Sequence, residues 1–473
     1  MRRIWVGLLT LCTTTCFAGA GLARDCETPE RQPATEKLIK LVEHDTNVKY
    51  ELEQSIRLGQ IINDDPHTNP VASLGDYYDF VDALVTYSPQ NIRTGTLNGK
   101  TRVAMDGKNY CNWNILDLLA YSYFLVDRQL TTDPRGQIQF TSDKFGEWMR
   151  DVAEEWGRYL ETPESAAHVP DFANDPNFGH WCCPPGPPDA PYPTFQAFFT
   201  RKLCEKDFPT GSREVEGFGE PRTVVSIGDS TSAGWWPISD DGRLVTTYDG
   251  VAQSGRVIKG KLYSDVHEFI AGGPDEHVIE TFGSIDPEIF DGGTWTHQFL
   301  NVNDYHRLHV PVAGEIVYLK HLQSAVRMKS GWVEALGEGE VSYYDPRDTA
   351  DWQFGQTRMV IGIDTGEYGI VVISPMGMAQ VSGIDKRDWV VEGAMAEKGW
   401  EFANFAFGGS DFVVIFEEKA GFVLTVPHAP EEAPEAGVNY ERSYQGQRYG
   451  CFGGNDECPV EPADFPPASP PDR

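Results

Sequence analysis

The sequence predicts an α+β chain, with a helical N-terminal domain over residues 30–165 followed by a β-rich part of sandwich or barrel type. Two observations carry this expectation. Residues 30–165 hold long stretches with apolar residues three and four apart, the spacing of amphipathic helices. From about residue 220 the texture changes to short runs rich in β-branched and aromatic residues, punctuated by glycine, as in paired strands. A length of 473 residues leaves room for two or three domains, and an apolar share of 40% allows sizeable cores.

The elements follow in order. MRRIWVGLLTLCTTTCFAGA places Arg2 and Arg3 before an apolar run, with small residues at Ala18, Ala20 and Ala23. That pattern predicts a signal peptide over residues 1–23 and an exported protein, secreted or periplasmic. The run is short and Thr-rich for a membrane span. Cys16 suits lipid attachment poorly, because Thr13, Thr14 and Thr15 precede it. No later segment is apolar enough for a stable membrane span.

TEKLIKLVEHDTNVKYELEQSIRLGQII and DKFGEWMRDVAEEWGRYLETP read as amphipathic helices. NILDLLAYSYFLVDRQL is apolar nearly all round and reads as a central helix. PDFANDPNFGHWCCPPGPPDAPYP is loop by composition. The strand-like runs are RTVVSIG, GEIVYLKHL, GQTRMVIGID, YGIVVISPMG and DFVVIFEE. Residues 426–473 read as a Pro-rich acidic tail, whose end, PVEPADFPPASPPDR, reads as disordered. There is no internal repeat.

A formal net charge of -32 excludes a nucleic-acid partner, which would need a basic footprint, and opposes residence on an anionic membrane surface. Past the signal, seven cysteines remain: Cys26, Cys111, Cys182, Cys183, Cys204, Cys451 and Cys458. In an exported protein they read as disulfides, with one left over. Cys451 and Cys458 flank a short Gly-rich loop and are expected to pair. Neither Cys182-Cys183 nor any His pair has zinc spacing, so no metal is expected.

Two segments carry chemistry. NFAFGGSDFVVIF (404–416) is a strand interrupted by Gly408, Gly409, Ser410 and Asp411, where glycine marks a bulge or a close backbone approach. GGTWTHQFLNVNDYHRLHVPVAGEI (292–316) holds His306 and His309 three apart, beside Asp304. Alone, these histidines read as core or surface residues, or as a metal pair lacking a patterned third ligand. With TFQAFFTRKL (194–203), VVSIGDST (224–231), IKGKLYS (258–264), ISPMGMAQVSGI (373–384) and EKGWEFANFAFGGS (397–410), they appear in unbroken order. Together these motifs resemble the phosphatidylserine decarboxylase family over roughly residues 190–425.

The resemblance implies a self-processing decarboxylase that cuts its own chain between Gly409 and Ser410. Ser410 Oγ would attack the Gly409 carbonyl, which glycines without Cβ permit. Elimination and hydrolysis would leave a pyruvoyl group derived from Ser410, able to form a Schiff base with a substrate amine. His309 matches the family's base, Asp229 the carboxylate that orients it, and His306 the histidine of decarboxylation and reprotonation. The implied partner is a small-molecule or phospholipid substrate with a primary amine, phosphatidylserine by resemblance; a homo-oligomer is also implied. EEWGRYLETPESAAHV and FGHW in the helical part are similar to fungal tryptophan decarboxylases, a soluble branch, which makes a free aromatic amino acid an alternative substrate. The chain departs from the family pattern at Asp411, where Thr or Ser is usual, and in reading Gly-Asp-Ser around Asp229.

Two rival readings remain. SIGDSTSAG resembles a GDSL-esterase block with Ser230 as nucleophile, and GGND (453–456) imitates another; but TSAGWWPISDDGRL after Ser230 does not read as the required helix. A chain that has lost processing and only binds its ligand is the other, and Asp411 is its support. Trp235 and Trp236 read as packing residues, and His321 and His428 as lone histidines.

Overall fold

The computed structural model describes residues 29–91, 96–97, 100–101, 105–126, 143–173, 192–204, 211–248, 251–254, 257–258, 261–262, 265–273, 276–302, 304–323, 329–334, 342–347, 357–378, 383–426 and 442–454. The signal peptide, Cys26, Cys182, Cys183, Cys458, His428, part of the IKGKLYS motif and much of the tail lie outside them.

The N-terminal region is helical, as its spacing predicts. The first amphipathic stretch forms two helices, α1 (Pro33–His44) and α2 (Thr46–Ile62). Asp45 separates them, because its carboxylate accepts from the Asn47 and Val48 amides and so caps α2. Then come α3 (Leu74–Val85), α4 (Ile115–Val126) and α5 (Asp143–Leu160). All of α4 is buried except Leu116, which accounts for its continuous apolar sequence. The start of α1 is pinned to α5: Ala34 N donates to Glu155 Oε2 (2.8 Å) and Trp148 Nε1 to Ala34 O (2.8 Å).

The β-rich part is antiparallel. Its strands used below are β1 (Thr223–Val225), β2 (Ser230–Pro237), β3 (His277–Gly283), β4 (Thr294–Leu300), β5 (Arg307–His309), β6 (Gly314–Gln323), β7 (Thr357–Asp364), β8 (Ile370–Met378), β9 (Ile384–Lys386), β10 (Met395–Ala396), β11 (Glu401–Phe405), β12 (Gly409–Phe416), β13 (Arg442–Ser443) and β14 (Arg448–Cys451). A nine-stranded sheet runs in the order β10-β6-β7-β8-β12-β4-β2-β13, with β3 also on β6. A three-stranded sheet runs β5-β11-β9, and β14 pairs β1. Helices and strands in one chain make the class α+β.

The large sheet buries both faces. Phe412, Val414 and Phe416 of β12 face a core shared with the N-terminal helices, while Val413 and Ile415 face a second core under the short helix Val266–Ala271. The antiparallel strand pair Lys329–Val333 and Tyr343–Arg347 joins the helical layer: the Tyr344 ring lies 4.7 Å from Phe124, and its hydroxyl accepts from Asn63 Nδ2 (2.9 Å).

One expectation is corrected. Composition reads residues 426–473 as tail, yet within them β13 pairs β2 and β14 pairs β1, and Gln445 is fully buried. Acidic and Pro-rich residues on either side dominate the composition and hide this segment. Among the described residues Cys111, Cys204 and Cys451 are disulfide-bonded, and no helix is long and apolar enough to cross a membrane.

Candidate active site

The site is built around the entry to β12. Ser410 is fully buried and stands opposite Gly377 of β8 and Leu300 of β4, so both neighbouring strands hold it. Phe407 anchors the chain just before it, packed edge-on against Trp156 of α5 (5.3 Å), Phe195 (5.0 Å) and Phe199 (4.9 Å). Between anchor and strand, Gly408 adopts φ +147°, a conformation that side chains other than glycine rarely take. The Ser410 hydroxyl turns back along the chain and donates to the Gly408 carbonyl at 3.3 Å.

Asp411 points the other way. Strand alternation sends it to the second core, where His297 Nε2 lies 2.5 Å from its Oδ2. The carboxylate beside the candidate nucleophile is thus paired on the opposite face of the sheet.

His306 is fully buried beside the same loop. Its carbonyl accepts from Phe405 N (3.1 Å), and its ring stacks on Phe199 at 3.7 Å. Neither ring nitrogen has a hydrogen-bond partner. Burial first, and the Arg201 guanidinium second, push its pKa well below the usual imidazole value. His309 is also buried. Its Nδ1 lies 2.7 Å from the Gly399 carbonyl, which requires the proton on Nδ1 and leaves Nε2 to accept from the Tyr305 hydroxyl at 3.1 Å. Burial lowers its pKa too. Lys398 stiffens this corner by donating to the carbonyls of Gly217, Glu220 and Thr223, each at 2.7 Å; burial pushes its pKa down to about 8.

Asp229 sits on the loop between β1 and β2. That loop touches both histidine-bearing and serine-bearing strands: His309 N donates to Ile227 O (2.9 Å), and a Cβ on Gly228 would lie 3.5 Å from Leu308 and 3.8 Å from Phe412. The Asp229 carboxylate is held by both terminal nitrogens of Arg213, Nη2 at 2.9 Å, and by Gln445 N at 3.0 Å.

The structure therefore gathers Asp229, His306, His309 and Ser410 on adjoining loops and strands but does not link them as a hydrogen-bonded relay. Asp229 bonds Arg213 and Gln445, His309 bonds Tyr305 and Gly399, and Ser410 bonds Gly408. The sequence reading missed Arg213, Tyr305, Gln445 and His297. Phe199 and Arg201 lay inside the FFTRKL stretch, which was the one available signal for them. Ser230 opens strand β2 rather than a helix, and its hydroxyl donates to Gln298 Oε1 at 2.6 Å, so the esterase reading has no structural support. Among the described residues no cluster of His, Cys, Asp or Glu is suited to a metal ion.

The family model for phosphatidylserine decarboxylase matches residues 195–437, just over half of the chain. Phosphatidylserine decarboxylase proenzyme 2 of Oryza sativa subsp. japonica is 26% identical over 281 residues, covering 58% of this chain and 37% of the rice protein. The chain thus spans little more than a third of that relative. The phosphatidylserine decarboxylase proenzymes of Bacillus thuringiensis (strain Al Hakam) and Bacillus cereus (strain 03BB102) are each 27% identical over 236 residues, 48% of this chain and 68% of theirs. The match leaves the helical domain outside it. By the family model's match over more than half of its length, the chain belongs to the phosphatidylserine decarboxylase family, a family of carboxy-lyases.

Proposed function

We propose that the protein is a self-processing decarboxylase that cuts itself between Gly409 and Ser410 and carries a pyruvoyl group at position 410. The observation that supports this most is the entry to β12: an aromatic anchor, a glycine at φ +147° and a buried serine whose hydroxyl faces back along the chain. The relatives' description as proenzymes agrees with it.

In the first step Ser410 Oγ bonds to the Gly409 carbonyl carbon as the amide C–N bond breaks, and the hydroxyl proton passes to the freed amine. Removal of the Ser410 Cα proton then expels the Gly409 carboxylate and leaves a carbon–carbon double bond at residue 410. Water hydrolyses this unit, releasing ammonia and leaving the ketone. Neutral His309 is the base for these transfers once Tyr305 yields its Nε2. Asp229, held by Arg213 and Gln445, is the carboxylate that the family resemblance assigns to orienting it.

The pyruvoyl ketone supplies the electron sink into which an amine-bearing acid loses carbon dioxide. The residues fit such a group, because position 410 is enclosed and His306 stands on the adjoining loop with both ring nitrogens unoccupied. His306 returns the proton to the substrate carbon. Phosphatidylserine, giving phosphatidylethanolamine, is the substrate that the relatives' names supply. A free aromatic amino acid such as tryptophan is the second reading. The net charge of -32 favours it, since that charge opposes residence on an anionic lipid surface. Disulfide-bonded Cys111, Cys204 and Cys451 support an exported protein.

Intact mass spectrometry of the purified protein and of Ser410→Ala tests the reading. The expected result is a short chain starting at residue 410, lighter than its sequence by one ammonia, in wild type alone. One uncut chain in both samples would overturn it in favour of a binding protein on the same fold.

A further inference from the structure

Residues 442–447 lie beyond the family match and return to the site from the far end of the chain. Arg442 Nη2 forms an ion pair with Asp304 Oδ1. Asp304 is buried; its other oxygen accepts from Asn301 N (2.8 Å), and its carbonyl accepts from Arg201 Nη2 (3.0 Å). This carboxylate therefore sets the loop that runs directly into Tyr305 and His306. Three residues further on, Gln445 N donates to Asp229 Oδ1. The Gln445 side chain closes a ring of bonds, accepting from Arg213 N (3.0 Å) and donating to Ser212 Oγ (2.9 Å), while Arg213 forks the Asp229 carboxylate. The Tyr444 ring centroid lies 5.4 Å from Arg213 Cζ and 5.5 Å from Arg442 Cζ, so one ring contacts both guanidiniums.

We propose that Arg213, Arg442 and Gln445 form a clasp that positions the self-processing site. Arg442 holds the loop of Tyr305 and His306, and Arg213 with Gln445 holds Asp229. None of the three contacts the scissile bond; they are positioning residues. Both carboxylates are desolvated, so each needs its cation and amide donors to stay where it is. A buried carboxylate deprived of its arginine must take a proton or swing to another donor, and the histidine loop moves with it. The clasp also crosses the cut, because residues 442–447 belong to the short chain while Asp229 and Asp304 belong to the long one.

This inference rests on self-cleavage at Ser410, and the experiment separates the two. The appearance of the short chain is followed with time in freshly translated full-length protein. Arg442→Gln and Arg213→Gln are compared with Arg442→Lys, Arg213→Lys and wild type. Arg358→Gln serves as a control, since it breaks a buried ion pair with Glu276 that shares no residue with the clasp. Thermal midpoints are measured for all in the uncut Ser410→Ala background.

The Gln variants are expected to cleave about 10- to 100-fold more slowly, the cost of displacing reacting groups by around an ångström. The Lys variants regain part of the rate, and Arg358→Gln cleaves like wild type despite a lowered midpoint. An uncut wild type overturns the Ser410 reading and the clasp together. A cleaving wild type with Gln variants at the same rate overturns the clasp alone. So does slowing in Arg358→Gln to the same degree at the same loss of midpoint, because the arginines would then act only through stability.

Discussion

His306 shows what burial does to a single side chain here. Its ring stacks on Phe199, its two ring nitrogens lack hydrogen-bond partners, and it is kept neutral first by desolvation and then by Arg201. An unfolded chain protonates this imidazole near pH 6.5, whereas the folded chain does so only well below that value. Above about pH 6.5 both states are neutral and the residue contributes no pH dependence. As pH falls below it, the unfolded state binds the extra proton, so stability drops until the folded-state pKa is reached. His309 acts in the same direction. The urea midpoint of Ser410→Ala is therefore expected to fall between about pH 7.5 and about pH 5.5, and adding His306→Phe should make that slope shallower without abolishing it. An unchanged slope would mean that His306 is solvated or already paired. The neighbouring puzzle, a carboxylate next to the proposed nucleophile Ser410, resolves at the same scale. One step along a strand reverses the side-chain direction, so Asp411 meets His297 instead of the reaction centre.

Among the elements, α5 bears most directly on the site. Its Trp156 is fully buried, donates through Nε1 to Tyr87 O (2.9 Å) and packs edge-on against Phe407, two residues before the proposed cut. The N-terminal helices lie outside the family match, yet through Trp156 they back the loop that leads into Ser410. Trp156→Ala should cost about 3–5 kcal/mol by leaving a cavity and should slow the appearance of the short chain; Trp156→Phe should lose less on both counts. Denaturant titration of the Ser410→Ala background and a cleavage time course check the two effects. Much of this was legible in the sequence, because α5 keeps its apolar residues three and four apart and α4 is apolar throughout. The glycine break before Ser410 was legible too, since it contradicts its strand context. The clasp was not. Arg213 and Gln445 meet Asp229 across 16 and 216 positions, and such a pairing leaves no periodicity to read. The same holds for the tail, where ERSYQGQRYGCFGG is aromatic enough to pack but stands between acidic, Pro-rich neighbours.

For the whole molecule, the location of the proposed cut decides what processing would do to stability. β12 lies inside the large sheet, with β8 on one side and β4 on the other. Cleavage between Gly409 and Ser410 puts β12, β13 and β14 in the short chain and leaves β8, β4, β2 and β1 in the long one. The short chain therefore keeps two full hydrogen-bonded ladders and the burial of Phe412 to Phe416, and it cannot leave without opening both cores. The two chains should elute together under native conditions. Refolding, however, changes from a unimolecular to a bimolecular process. The unfolding midpoint of the processed protein is expected to rise with protein concentration, whereas that of uncut Ser410→Ala should not. Measuring both midpoints over a hundredfold range of concentration distinguishes them. A processed protein whose midpoint ignores concentration would mean that the chains remain tied covalently, with the disulfide of Cys451 reaching the long chain instead of Cys458. Repeating the titration with a reductant would then restore the dependence.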